Sequence, residues 1–257
     1  MSVIILSPSK EMNRQPGHLP PGLSPLSRTI HQALSDLSLE EIAKCFKVSS
    51  DLAQTIQADI QAVEAPTAKA AYLTYQGLAF RQIDWSAISL DYAQDHLRIL
   101  SAFYGVLSPR TAINPYRLDF NTRLKVADRT LKSLWQPAYQ AALQEETVYN
   151  LASQEFASLL DPDQMDLIEI RFYQDLAQEK KAPSATAKKL RGGLANHLLQ
   201  QEDFGEATFK SFTAEGYQLV DFDPIMATLT IPKLKLSTGR TVSRRLIGCG
   251  HFVDPGS

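Results

Sequence analysis

Cysteine is scarce in this chain: 257 residues hold two, Cys45 and Cys249, far apart in sequence. A disulfide framework is therefore excluded as the source of stability, and such usage suits a reducing compartment. No charged-then-apolar leader is visible, so the cytoplasm is the expected location. Long apolar runs are missing as well. None approaches the ~18 residues that would span a bilayer, and no membrane partner is expected. Charge of a single sign is the third absence: 26 basic against 28 acidic side chains leave a formal net charge of −2. Bulk electrostatics draw in no polyanion, and any anion site must come from local clustering of cations.

Familiar catalytic signatures are lacking too. There is no G-x-x-x-x-G-K-[ST] loop, no G-x-G-x-x-G turn and no G-x-S-x-G elbow. The histidines, His18, His31, His96, His197 and His251, never pair at metal spacing with one another or with a cysteine. Cys249-Gly-His251 is close in sequence but has no companion ligands, and a Glu-x-x-His pattern for iron is missing. No metal or cofactor is expected. Neither cysteine has a resolving thiol near it in sequence to support peroxide chemistry, and the reading leans away from an enzyme.

What is present is an ordinary globular composition, 44% apolar and 21% charged. Residues 3–6, VIIL, read as a buried strand closed by Pro8. Residues 14–26, rich in proline with two glycines, read as an irregular surface loop. Helical periodicity follows over 27–64, where Ser38 and Glu41 stand at capping-box spacing and "KVSS" at 47–50 divides two short helices. In "SLDYAQDHLRILSAFYGVLSP" Ala93, Leu97, Leu100 and Tyr104 form one helical stripe, stopped by Gly105 and Pro109. "INPYRLDF" reads as extended or turn, and "TLKSLWQPAYQAALQEE" as a helix with Pro137 in its first turn or at a kink. "TVYNLASQEF" reads as a strand feeding a helix with Ser153 as N-cap, and "MDLIEIRF" as a strand. "ATAKKLRGGLANHLLQQ" reads as a helix, and "MATLTIPKLKL" as a further β-like run. Strands and helices mix without strict alternation, so the fold class is α/β or α+β in one compact unit.

Local positive charge is the informative feature. Lys180, Lys181, Lys188, Lys189 and Arg191 occur with no acid between them. On a helix Lys188 and Arg191 project together while Lys189 points aside. Such a group holds phosphate oxygens or is simply a solvated face, and the segment alone leaves both open. Lys10, past the first strand, lies where open α/β sheets gather ligands, or else snorkels from a loop. Arg98 has Asp91 and Asp95 as ion-pair partners on a helical face. Ser153 either caps its helix or meets an anion there.

The stretches "SPSKEM" (7–12), "HLRILSAFYGVLSP" (96–109), "NPYRLDF" (114–120), "NLASQEF" (150–156), "AKKLRGGLANHLL" (187–199) and "FKSFTAEGY" (209–217) carry a further signal. In order and spacing, over roughly residues 1–220, they resemble the YaaA family of bacterial peroxide-stress proteins. The resemblance implies a cytoplasmic protein induced under hydrogen peroxide that limits iron-driven oxidative damage. It also implies a fold particular to the family, with a positively charged cleft and a helix-hairpin-helix element that binds DNA. Lys10, Arg98, Tyr104, Arg117, Ser153, Lys188, Lys189, Arg191 and Lys210 would line that cleft. The candidate hairpin is 39–60. It has Val48-Ser49-Ser50 where such elements usually carry glycine, so phosphate contacts there would use Lys47, Ser49 and Ser50. Ser108 and Ser158 also depart from the family, which usually has arginine and lysine there.

The expected organisation is thus a single domain over 1–220 and a divergent basic tail over 221–257, with Lys233, Lys235, Arg240, Arg244 and Arg245. The expected partner is DNA, duplex or branched, held by a monomer through phosphates, with little base specificity and a steep salt dependence. The rival reading is an enzyme on a small phosphorylated or carboxylated substrate. There a buried Lys10, with Ser153 and Tyr104, would supply acid–base chemistry. A closed pocket of a few hundred Å³ favours the rival, an open groove DNA.

Overall fold

The computed structural model describes residues 1–219, 221–223 and 228–233. It is a mixed α/β fold around one central sheet. The sheet strands are β1 (Ser2–Leu6), β2 (Leu97–Ser101), β3 (Gly105–Leu107), β4 (Thr147–Asn150), β5 (Asp166–Asp175), β6 (Lys180–Lys181), β7 (Asp221–Asp223) and β8 (Thr228–Pro232). Their order is β7-β8-β5-β4-β1-β2-β3, with β6 paired to β5 off this path. The inner strands β8, β5, β4, β1 and β2 run parallel, whereas β3, β6 and β7 are antiparallel to their neighbours. β1 is an interior strand between β4 and β2, and Val3 to Leu6 are all buried. A strand covered on both faces must be apolar throughout, which is why four consecutive apolar residues form it.

The helices are α1 (Pro25–Ser35), α2 (Leu39–Phe46), α3 (Ser50–Ala62), α4 (Ala71–Thr74), α5 (Leu90–His96), α6 (Leu131–Leu143), α7 (Gln154–Ala157), α8 (Ser184–Gln201) and α9 (Glu206–Ser211). The capping box at Ser38 is formed: its hydroxyl accepts from the Glu41 N–H, and the Glu41 carboxylate accepts from the Ser38 N–H at 2.8 Å. Pro137 lies inside α6, where it supplies no N–H to the carbonyl of Ser133. Arg129 donates its guanidinium to that carbonyl instead. The helix therefore continues through the proline.

One expectation is overturned here. The helix expected to run from about residue 90 to Tyr104 ends at His96, and the chain turns directly into β2. The apolar run Leu97, Ile99 and Leu100 is completely buried, and β2 pairs in parallel with β1, Ile4 opposite Leu97 and Leu6 opposite Ile99. The stripe of apolar residues satisfied helical spacing, but burial on both faces of a sheet decided the outcome. Gly105, at φ +86, then reverses the chain into β3. A Cβ there would stand 2.5 Å from the Trp135 ring, so both the turn and the packing require glycine.

The sheet also extends beyond residue 220, because β8 pairs with β5 along Thr228–Pro232. The "MATLTIP" stretch thus lies partly in the central sheet. Lys235, Arg240, Arg244, Arg245 and the Cys249–His251 pair lie outside the described residues.

Candidate functional site

Two parallel strand ends create the site. β1 leaves the sheet through Ser7-Pro8-Ser9-Lys10 on its way to β2, on one side. β4 leaves through Leu151-Ala152-Ser153 on its way to β5, on the other. Where neighbouring connections diverge, a crevice opens beyond the carboxyl ends of the strands. The two ends are tied together there. The Ser153 N–H donates to Ser7 Oγ at 2.7 Å, and Ser7 Oγ donates to Ser153 Oγ at 3.1 Å. Ser153 stands at the N-cap position of α7, but its hydroxyl makes no cap bond because it is engaged with Ser7.

Above this junction lies a cavity of about 520 Å³, reached by side chains from distant parts of the chain. Lys10 enters from the β1 loop, Arg117 from the segment after β3, and Lys188 and Arg191 from one face of α8. Lys189 points away, its ammonium 3.2 Å from Glu215. The glycines beside Arg191 explain how α8 comes so close. A Cβ on Gly192 would lie 2.6 Å from the carbonyl carbon of Ala79, so helix and backbone are in direct contact. Gly77 to Phe80, which includes Ala79, forms the facing wall.

Three carboxylates, Glu11, Asp119 and Glu155, share the lining with those cations. Glu11 is ion-paired with Arg81. Burial pushes the Asp119 carboxyl upward. The Lys10 ammonium 2.7 Å away, helped by Thr122 and the Asn121 N–H, outweighs that effect and holds it below its ordinary value. Glu155 moves the other way: burial and the nearby Asp119 charge raise it, against the Phe120 N–H that donates to it at 2.9 Å. Among the described residues, Arg117, Lys188 and Arg191 are in no ion pair. Burial lowers the Arg191 guanidinium somewhat, with Glu169 opposing the shift, and an arginine stays charged regardless.

A depressed carboxyl pKa adds stability above the unfolded value that disappears as pH falls through the folded one. Asp119→Asn is therefore expected to lower stability near pH 7 and to cost progressively less as pH falls from about 4 towards 2. The Lys10 side chain is 63% exposed, so the loss is limited to about 1 kcal/mol. Thermal melts of both proteins between these pH values check it, and a pH-independent difference would contradict the assignment.

A second hollow of about 140 Å³ adjoins the first and shares Lys10, Arg117, Leu118 and Asp119 with it. Its far side is Cys45, Phe46 and Lys47, the turn of the α2–α3 hairpin. Lys47 takes the left-handed conformation (φ 54) in which such turns usually place glycine, and the Val48 N–H closes the turn on the Ala43 carbonyl. Ser49 caps α3, accepting from the Leu52 N–H at 3.4 Å, and Ser50 begins that helix.

Burial raises the Cys45 thiol above its ordinary value, against the Arg123 N–H. A thiol kept protonated is a poor nucleophile. Cys45 is thus expected to react with iodoacetamide several-fold more slowly than a free cysteine at pH 7.5, measured in a Cys249→Ser background. Faster labelling would point to thiol chemistry instead.

Four of the expected cleft residues lie elsewhere. Arg98 sits at the start of β2, the opposite end of a parallel sheet from the cavity, and donates to the Gln94 carbonyl at 2.8 Å and the Leu97 carbonyl at 3.0 Å. Its expected helical face with Asp91 and Asp95 does not exist, and Asp91 pairs with Arg110. Tyr104 is buried against Tyr116, accepts from the Asn114 N–H at 3.0 Å, and is held far above its ordinary pKa by burial. Lys189 and Lys210 are ion-paired with Glu215 and Glu206. Nor is Lys10 buried, as the rival reading required. Ser158, which stands where lysine is usual, accepts from the Lys132 ammonium at 3.1 Å, so a cation reaches this point from α6.

Ser7, Asp119 and Glu155 were not among the expected site residues, although each lies inside a quoted block, Asp119 two residues from Arg117 and Glu155 as the one charged residue of NLASQEF. Both the blocks and their spacing match known proteins. Residues 2–222 match the family described as peroxide stress protein YaaA. The chain is 33% identical over 225 residues to a UPF0246 protein of Streptococcus pneumoniae serotype 19F (strain G54), covering 84% of this chain and 93% of that one. It is 32% identical over 223 residues to a UPF0246 protein of Streptococcus gordonii (strain Challis), covering 81% and 91%. With most of its length matched, the chain belongs to the peroxide stress protein YaaA family.

Proposed function

We propose that this protein protects the cell during peroxide stress by binding DNA through its phosphates. The observation that carries the reading is the path of cations from Lys188 and Arg191 through Arg117 and Lys10 to Lys47, lining two adjoining hollows. Such contacts position a nucleic acid without reading its bases, so duplex or branched DNA of any sequence serves. One chain supplies every group named, and a monomer suffices. The α2–α3 hairpin would act as the helix-hairpin-helix element, with Lys47 and the hydroxyls of Ser49 and Ser50 beside the backbone. Binding also suggests how iron-driven damage is limited. Neutralising phosphates expels their condensed cations, iron(II) among them, so radicals form away from the strand. In a plasmid-nicking assay with iron(II) and peroxide, saturating protein is expected to slow nicking several-fold. Protection that persists when salt has abolished DNA binding would refute this mechanism.

A second reading is favoured by the cavity's size. About 520 Å³ falls within the range of small-molecule sites. The acid–base pair would be Glu155 and Asp119, whose environments push them apart, rather than Lys10 and Tyr104. Stabilisation by a phosphorylated small molecule but not by DNA would select this reading.

A further inference from the structure

Phosphate contacts leave half of the large cavity unexplained. A track for a DNA backbone needs cations and water, not apolar walls. Yet Leu78, Phe80, Tyr116, Leu118, Leu151 and Phe156 line the interior, with the cations of Arg117, Lys188 and Arg191 sharing the lining. Neither a duplex nor a stacked strand enters a hollow of about 520 Å³, whereas a ligand with one flat apolar part and one phosphate fits it. Asp119 and Glu155 sharpen this. They repel phosphate, but a carboxylate accepts hydrogen bonds from the exocyclic amino group of a base. Phe120 donates to one oxygen of Glu155 and leaves its second oxygen as the acceptor, whereas Asp119 is engaged at both oxygens, by Lys10 and by Asn121 and Thr122.

We infer that the cavity takes up one nucleotide unit, its base against the apolar wall and its phosphate on Arg117, Lys188 and Arg191. The inference rests on the DNA-binding reading where the unit belongs to a strand, and stands by itself where it is a free nucleotide. Extruding a base costs a few kcal/mol, least where pairing is already poor, so a mismatched nucleotide would enter most readily. An amino-bearing base is favoured over thymine. The site then holds the strand by one inserted residue while Lys47 and the hairpin touch the neighbouring backbone.

The test uses the full chain and a duplex carrying 2-aminopurine in a mismatch, whose fluorescence rises when the base leaves the stack. Binding is expected to raise it several-fold, and millimolar deoxyadenosine monophosphate to reverse the rise. Leu78→Trp, which fills the cavity from a half-buried position, is expected to abolish both the rise and mononucleotide binding, and a full rise in this variant would overturn the inference. Glu155→Gln tests the base-edge contact, with an expected loss of the preference for deoxyadenosine monophosphate over thymidine monophosphate. If duplex binds normally but fluorescence is silent and mononucleotides do not compete, the inference is overturned and DNA binding survives. If mononucleotides bind calorimetrically and duplex does not, the inference holds for free nucleotides and DNA binding falls. If neither binds, both are wrong.

Discussion

Glutamine at both Lys188 and Arg191 will weaken duplex binding about 100-fold at low salt and flatten its salt dependence. Each charge-assisted hydrogen bond contributes about 1.5–3 kcal/mol. Two of them exceed the ~2.8 kcal/mol that makes a hundred-fold change. Each phosphate contact also adds roughly 0.9 to the slope of log K against log salt, so the slope should fall by about 1.8. Arg191 is partly buried and faces Glu169, so glutamine, which keeps a donor there, is preferred to alanine. Fluorescence anisotropy across a salt series reads both quantities. Lys189→Gln and Lys210→Gln are the controls, because those ammonium groups are paired with Glu215 and Glu206 outside the cavity. Each is expected to change affinity by no more than about two-fold. An unchanged slope in the double variant would remove the cavity from DNA binding, and equal losses in the controls would replace it with diffuse surface charge.

The largest effect on stability is expected at Gly192. Its added Cβ would sit 2.6 Å and 2.7 Å from two backbone atoms of Ala79, and neither is the movable end of a side chain. Overpacking of this kind costs about 1–3 kcal/mol, and rigid opposition places Gly192→Ala near the top of that range. For a chain of this size about 3 kcal/mol corresponds to a melting temperature lower by roughly 6–12 °C. The neighbouring glycine behaves differently. A Cβ on Gly193 meets only the edge of Phe212, at 3.7 Å. Alanine favours a helix interior by up to about 1 kcal/mol, so Gly193→Ala should be neutral or stabilising. Calorimetry on the two variants separates contact from propensity. Equal melting temperatures would show that α8 does not press on Ala79. Because Ala79 belongs to the cavity wall, surviving Gly192→Ala protein should also bind DNA more weakly.

Several parts of the fold were legible because their signals are local. The VIIL run, the Ser38–Glu41 capping box, the break at 47–50 and the 18-residue α8 are all where pattern and capping chemistry put them. The failure at residues 97–104 is equally instructive. Leu97, Leu100 and Tyr104 meet helical spacing, but Ile99 between them is as deeply buried as they are. A strand enclosed on both faces has no polar phase, and its periodicity is therefore no guide. The site divides in the same way. Lys188 with Arg191, and Lys189 turned aside, follows from the pitch of a helix. Arg98 could not be placed until its strand was known to begin at the end of the sheet away from the cavity.

From its residues alone the chain was determined to be a cysteine-poor mixed α/β protein with its cations gathered in a few short motifs. Those properties depend on composition and on neighbours within a turn or two. Which cations share a cavity was decided only by tertiary structure. Lys10, Arg117 and the α8 pair are separated by scores of residues, and they meet because β1 and β4 lie side by side with diverging connections. The same folding brought Asp119 to Lys10 and Glu155 to Asp119, so the hollow has acidic groups among its cations. Through-space electrostatics has no counterpart in linear spacing, since charges act across distances that the order of residues does not encode.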